Sequence, residues 1–242
     1  QSIVPTKNFT ENLWLAELFH GPTLAFKDIA LQLVGQFFDH QLEKSSERIT
    51  IVGATSGDTG SAAIEACRDR DAMDIIILHP HGKTSEVQRR QMTTVQASNV
   101  HNIAIEGNFD DCQNLVKAMF QDVEFNRAIN ISAVNSINWA RVMAQLVYYW
   151  WTAMEVAGTR QVSFCVPSGN FGNVFAGYGA HLTGLPVHKF IVASNTNDVL
   201  DRFFTTGRME AQAVAPTLSP SMDIQISSNF ERYLFDLAGN SA

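Results

Sequence analysis

Five short apolar runs recur along the chain with helical patterns between them, and that alternation limits the possible folds more than any other feature. The runs are ITIVGA (49–54), MDIIILH (73–79), VHNIAI (100–105), VSFCVP (162–167) and KFIVAS (189–194). Each is short, mainly apolar and rich in β-branched side chains, which predicts a strand buried on both faces. Between them lie SAAIEACRDR, DDCQNLVKAMFQDV, a helical pattern over 138–157, and NVFAGYGAHLTG. Upstream, Ile29, Ala30, Leu33, Val34, Phe37 and Phe38 repeat at three- and four-residue steps and predict a helix that buries that face. Strand–helix alternation predicts an α/β fold, doubly wound, with mostly parallel sheets in two lobes. The polar NISAVNSIN (130–138) marks a lobe boundary, giving a smaller lobe of 49–135 and a larger one of 1–48 plus 136–242. With 242 residues, 45% of them hydrophobic, the chain is long enough to bury such cores.

In sheets of this kind ligands sit where strands end and loops turn into helices. Two such loops are rich in glycine and hydroxyls: GATSGDTGSAA (53–63) and PSGNFGNVFAG (167–177). Glycine lets the backbone approach a ligand, and the amides at a helix start point outward, so each loop predicts an anion cradle. Neither has the lysine of a P-loop or a G-x-G-x-x-G pattern, which argues against nucleoside phosphates. In ELFHGPTLAFKD (17–28), Gly21 and Pro22 mark a turn, and Lys27 sits where the loop enters a helix. A lysine at the mouth of a buried helix is readily desolvated, and its neutral amine can form a Schiff base with a carbonyl.

Net charge is −7, with acidic and basic residues scattered, which argues against nucleic acid or an anionic membrane as the main partner. The apolar VMAQLVYYWWTAMEVA (142–157) is interrupted by Gln145 and Glu155 and reads as a core helix, not a membrane span. Trp150 and Trp151 on it read as core or interface packing. Cys67, Cys112 and Cys165 lie far apart without a C-x-x-C pair, so neither a disulfide framework nor a zinc site is predicted, and a reducing cytoplasm fits. His79 and His81 lack a third ligand at suitable spacing, so no metal is expected. No secretory leader is visible, and a chain beginning at Gln1 is expected to have its natural start elsewhere.

ELFHGPTLAFKD, ATSGDTG, HPHGKTS, NSINWAR and PSGNFGN, followed by SNTNDVLDRF and TLSPSMDIQISSNFERYLF, resemble the threonine synthases in order and spacing from about Leu15 to Phe235. That family belongs to the fold-type-II pyridoxal-phosphate enzymes, with a tryptophan synthase β-like fold, and the likeness is to its bacterial and fungal branch. The resemblance implies pyridoxal 5'-phosphate as cofactor and Lys27 as its Schiff-base lysine and catalytic residue. It further implies that Ser168, Gly169, Asn170, Phe171, Gly172 and Asn173 hold the cofactor phosphate, with the Phe171 ring in the core. Asp58 falls where many relatives carry an asparagine beside the cofactor's phenolic oxygen. An aspartate cannot donate as an amide does, which leaves open how Asp58 meets the ring. Thr55, Ser56 and Thr59 are implied for the substrate carboxylate. Asn138 and Arg141 are implied for the substrate phosphate, with Lys83 as a second cation; the planar arginine fork suits that anion.

The implied reaction converts O-phospho-L-homoserine and water to L-threonine and phosphate, a carbon–oxygen lyase step of threonine biosynthesis, carried out in the cytoplasm by a monomer or homodimer. A threonine-synthase-like phospho-lyase that forms a keto acid shares every one of these motifs. A non-catalytic module that keeps the cradle without the chemistry is a third reading. Taken alone, Arg141 reads first as an exposed helix charge, and Lys83 reads equally as a solvated turn residue. Relative to the family, the chain is expected to be truncated at both ends, without an N-terminal subdomain and without the C-terminal threonine that faces the pyridine nitrogen.

Overall fold

The computed structural model describes residues 3–135, 138–158 and 160–239. A hairpin of β1 (Thr6–Thr10) and β2 (Leu13–Ala16) precedes α1 (Lys27–Ser45), β3 (Ile49–Ala54), α2 (Asp58–Cys67) and β4 (Met73–Pro80). Then follow α3 (Glu86–Thr93), β5 (Val100–Ile105), α4 (Phe109–Gln121), α5 (Val123–Ile129) and the short β6 (Ile131–Ser132). The remainder is α6 (Trp139–Val156), β7 (Val162–Pro167), α7 (Gly172–Leu182), β8 (Val187–Ala193), α8 (Val199–Thr206) and α9 (Phe230–Leu237). The chain divides into two compact units, Leu18–Asn138 and Gln1–Glu17 with Trp139–Ala242. The division after Asn138 falls at the end of the polar segment that marked a boundary in the sequence. Residues 18–48, expected with the larger lobe, instead group with 49–138, because α1 packs along α2.

In the Leu18–Asn138 unit, four parallel strands run in the order β5-β4-β3-β6. Alternation along the strands feeds two separate cores. Ile51, Ile75 and Ile77 face α1, α2 and Met92 of α3, whereas Val52 and Leu78 face Cys112 of α4. Both faces are thus covered, as a doubly wound sheet requires. Strand order reverses at β3, whose neighbours are β4 on one side and β6 on the other. The loops that leave β3 and β6 at their carboxyl ends therefore flank a topological switch point, where α/β sheets place their ligands.

Helix α1 buries Ala30, Leu31, Val34, Gly35 and Leu42, while Leu33 and Phe37 are exposed. The expected face is thus rotated, and Gly35 gives the reason. A Cβ there would lie 2.5 Å from the Ala66 carbonyl oxygen, so the glycine side, which lets the backbones of α1 and α2 touch, becomes the inner face.

In the other unit β7 and β8 pair in parallel, and α6 packs on α7. Tyr149 meets Phe164 edge-on at 4.9 Å, and Phe164 stacks on Phe190. Gly177 leaves room for those rings: a Cβ there would lie 2.6 Å from Phe190 and 2.8 Å from Tyr149. The expectation of burial on both faces does not hold for β7 and β8. Val162, Phe164 and Val166 turn inward, whereas Ser163, Cys165 and Ile191 are exposed. Edge strand β5 is likewise partly exposed. The pleat of the β7–β8 pair thus alternates between packed and open residues. Trp151 is partly exposed, with its indole N–H donating to the Val4 carbonyl at 3.1 Å. Among the described residues no helix is long and apolar enough to cross a membrane, and Cys67, Cys112 and Cys165 are free thiols.

Candidate active site

Lys27 is the first residue of α1, and Phe26 before it offers no side-chain cap. The turn is held instead by Asp28, which is 1% exposed. One of its carboxylate oxygens accepts from the Thr23 hydroxyl at 2.6 Å, the other from the Thr23 amide at 2.8 Å. Gly21 packs against this carboxylate, where any Cβ would lie 2.4 Å from Asp28. The same Asp28 satisfies the sign of the helix dipole in the first turn. From α3, Gln91 Nε2 donates to the Thr23 carbonyl at 3.0 Å and ties the turn from the far side. Lys27 is therefore displayed from a braced turn. Its Nζ lies 2.7 Å from Asp58 Oδ2, both side chains are mostly buried, and the Phe26 ring lies 5.8 Å from the ammonium.

Asp58 opens α2 directly after the SG pair of the first glycine loop. Gly57, the cap residue, has φ +151°, which side-chain-bearing residues rarely adopt. A glycine has no side chain to cap α2; Thr55 does so from two residues upstream, its hydroxyl accepting from the backbone amides of Gly57 at 3.0 Å and Gly60 at 2.9 Å. Thr55 is 1% exposed and its oxygen is committed to that loop. Ser56 is exposed and Thr59 half-buried beside it. Replacing Thr55 with valine, nearly equal in shape, leaves two inner amides without their acceptor. The expected cost is about 1–3 kcal/mol of unfolding free energy by urea titration; a change below about 0.5 kcal/mol would show that the loop holds itself without Thr55.

Lys83 is exposed in the turn after β4, its amide donating to the Pro80 carbonyl at 3.2 Å. His79 just before it is buried, and that burial, with Arg89 and His81 nearby, pulls its pKa below the ordinary histidine value. Among the described residues no group of three possible ligands is placed to hold a metal. Asn138 ends the loop that leaves β6, and its side-chain Nδ2 donates to the Ala133 carbonyl at 3.1 Å. Ser136 and Ile137 of the NSINWAR segment lie outside the described residues. Arg141, open to reading as a surface charge, lies on α6 at 3% exposure, with Gln145 Nε2 donating to its carbonyl at 3.0 Å.

The second loop leaves β7 in the other unit. Ser168 is buried and its amide donates to the Ala193 carbonyl at the end of β8. The next carbonyls are pulled to one side: Ser227 Oγ donates to Gly169 O at 2.8 Å, and the Asn229 amide donates to Asn170 O at 3.1 Å. Among the described residues no peptide is cis, so N–H and C=O of each plane point oppositely. The amides of Asn170 and Phe171 therefore face away from residues 227–229. Phe171 takes φ +60° to start α7 and offers no side-chain cap, so the first-turn amides of Gly172 and Asn173 have no acceptor within the helix. Its ring is buried and packs edge-on against Phe230 at 4.9 Å. Asn173 is gripped from α6 by the hydroxyls of Tyr148 at 2.6 Å and Tyr149 at 2.8 Å. Burial raises the pKa of both phenols, so they stay neutral and can serve as donors.

A lysine amine on a braced turn and a run of outward amides at a helix start, on parallel α/β units, define an enzyme class built around a phosphorylated carbonyl cofactor. The family model described as pyridoxal-phosphate dependent enzyme matches residues 3–242, and the chain belongs to that family. Pyridoxal phosphate suits the chemistry each unit holds: in Leu18–Asn138 the Lys27 amine suits its aldehyde, and in the other unit the amides that open α7 suit its phosphate. The chain is 59% identical over 241 residues to the threonine synthase of Pseudomonas aeruginosa, covering 99% of this chain and 51% of that protein. Its likeness to the yeast (Saccharomyces cerevisiae) threonine synthase is 51% identity over 94% of this chain and 47% of that protein. The PLP-bound threonine synthase from Brucella melitensis superposes with a TM-score of 0.93 at 57% identity, covering 98% of this chain and 51% of the other. The chain thus spans about half the length of the curated relatives it matches. A fungal L-serine ammonia-lyase from Rhizomucor miehei, 15% identical with a TM-score of 0.74, shares the fold.

Sequence reasoning left several supporting residues without roles. Gln88, the Tyr148–Tyr149 pair and residues 227–229 each hold a named site residue from another element, and Asp28 and Gln91 hold Thr23 in the turn that carries Lys27. The QISSN run lies within a family-like motif, and nothing in its pattern signals that it anchors carbonyls.

Proposed function

We propose that the protein is a threonine synthase, forming L-threonine and phosphate from O-phospho-L-homoserine and water. The observation that carries this reading is identity above one half to threonine synthases across nearly the whole chain, set against 40% to the Threonine synthase-like 2 of Xenopus laevis. Pyridoxal phosphate, when bound, supplies the electron sink that lets protons leave the carbons next to the substrate's amino group. Lys27 Nζ is its attachment point and the base that holds and moves protons at the substrate's Cα and Cβ. Asp58 is the partner of that amine. The amides of residues 169–173 take the cofactor phosphate, with Ser168 at the head of the loop. Ser56 and Thr59 donate to the substrate carboxylate, and Thr55 shapes their loop. Arg141 and Asn138 hold the departing phosphate, with Lys83 as a second cation. A cytoplasmic enzyme, monomeric or homodimeric, accords with three free thiols.

The test gives O-phospho-L-homoserine to the natural full-length protein and follows both products. Threonine and phosphate are expected in equal amounts. Phosphate with a keto acid in place of threonine would transfer the reading to the phospho-lyase, and bound cofactor without turnover would favour a binding module.

A further inference from the structure

We propose that Gln88 is a positioning residue for the lysine: it holds the Asp58 carboxylate, and Asp58 in turn holds the Lys27 amine. The inference rests on the reading of Lys27 as the cofactor's attachment point. A carboxylate anchored through one oxygen can still turn about its Cβ–Cγ bond. Asp58 is anchored through both, with Oδ2 on Lys27 Nζ at 2.7 Å and Oδ1 on Gln88 Nε2 at 3.0 Å. The direction of the Gln88 amide is set at each end. An ionised carboxylate only accepts and so must meet the NH2 group, while Ser85 Oγ donates to the amide oxygen at 2.9 Å. Ser85 also caps α3 by accepting from the Gln88 backbone N–H at 3.3 Å, so the residue that starts the helix also aims its glutamine.

Gly57 completes the arrangement. A Cβ there would lie 2.0 Å from Gln88 Oε1 and 2.4 Å from its Cδ, so the glutamine lies flat against the glycine backbone. Gln88 and Gln91 are three residues apart and share one face of α3. One reaches the lysine's counter-ion and the other the turn that carries the lysine. Helix α3 thereby braces the amine from two directions, through its counter-ion and through its turn.

The experiment compares Gln88→Met, which keeps the length but loses the donor, with Gln88→Glu, which sets a carboxylate against a carboxylate. Attachment of pyridoxal phosphate to Lys27 is timed by borohydride trapping and peptide mass analysis, and melting temperature is followed in parallel. Affinity for pyridoxine 5'-phosphate, which lacks the aldehyde, reports the phosphate cradle alone. Attachment should slow roughly ten- to a hundredfold in Gln88→Met and further in Gln88→Glu, in line with loss of a hydrogen bond to a charged group. Melting temperature of Gln88→Met and pyridoxine 5'-phosphate affinity of both variants should stay near wild type. Attachment at the wild-type rate in Gln88→Met overturns the positioning role while leaving Lys27 in place. Parallel loss of attachment, cradle affinity and melting temperature overturns it too, because Gln88 is then a packing residue. Trapping on a lysine other than Lys27 in the wild-type protein overturns the underlying reading instead.

Discussion

Lys27→Ala should abolish both covalent cofactor attachment and turnover of O-phospho-L-homoserine. Two losses coincide at one atom. Without Nζ there is no amine to take the cofactor aldehyde, and no base to move the substrate protons, a contribution that alone reaches roughly 10²–10⁴ in rate. The combined fall should exceed about 10³-fold. The variant should still bind the cofactor's phosphate, since the amides of 169–173 are set by β7, α7 and residues 227–229. Folding is checked by circular dichroism, because Asp58 loses the partner that lies 2.7 Å away. The decisive measurement is mass analysis after borohydride reduction. Reduced cofactor on a different lysine in Lys27→Ala would show that the attachment point had been misassigned.

Arg141→Ala is expected to keep its coloured cofactor and lose most of its activity. On the proposed function, backbone amides hold the cofactor phosphate, whereas the substrate brings a second phosphate whose bond to Cγ must break. A fixed guanidinium fork stabilises that departing charge. Loss of one such contact costs roughly 2–4 kcal/mol in the transition state, about two to three powers of ten in rate. At 3% exposure the arginine is too buried to serve as a solvated surface charge, and truncating it also opens space in the unit that holds α6. Arg141→Lys therefore runs beside it: charge is kept, the two-pronged geometry is lost, and an intermediate fall in rate is expected. A variant that purifies without cofactor yet binds a phosphonate substrate analogue normally would show that the two phosphate roles had been exchanged.

Much of the frame was legible because it is local. The strand boundaries over 49–54, 100–105 and 162–167 coincide with β3, β5 and β7, since a short apolar run ended by glycine or proline has few alternatives. The rotated inner face of α1 was not legible. Leu33 and Phe37 satisfy the helical period as well as Leu31 and Gly35 do, and hydrophobic period alone scores a glycine as empty. Only the close approach of Ala66 makes Gly35 the inward residue. Likewise, nothing in β7 or β8 distinguishes a strand covered on two sides from one covered on one side, because their outward residues include Cys165 and Ile191.

The sequence by itself determined the α/β class, the loops that bear chemistry, the candidate lysine and the family resemblance. Each of these rests on residues near one another in the chain. Tertiary structure alone decided what holds those residues in place. Asp58 meets Lys27 across 31 positions and Gln88 across 30, and Ser227 ties Gly169 across 58. No local period encodes such pairings. They arise when parallel strands bring the starts of different helices to one edge of a sheet, so that side chains of ordinary composition become the supports of the site.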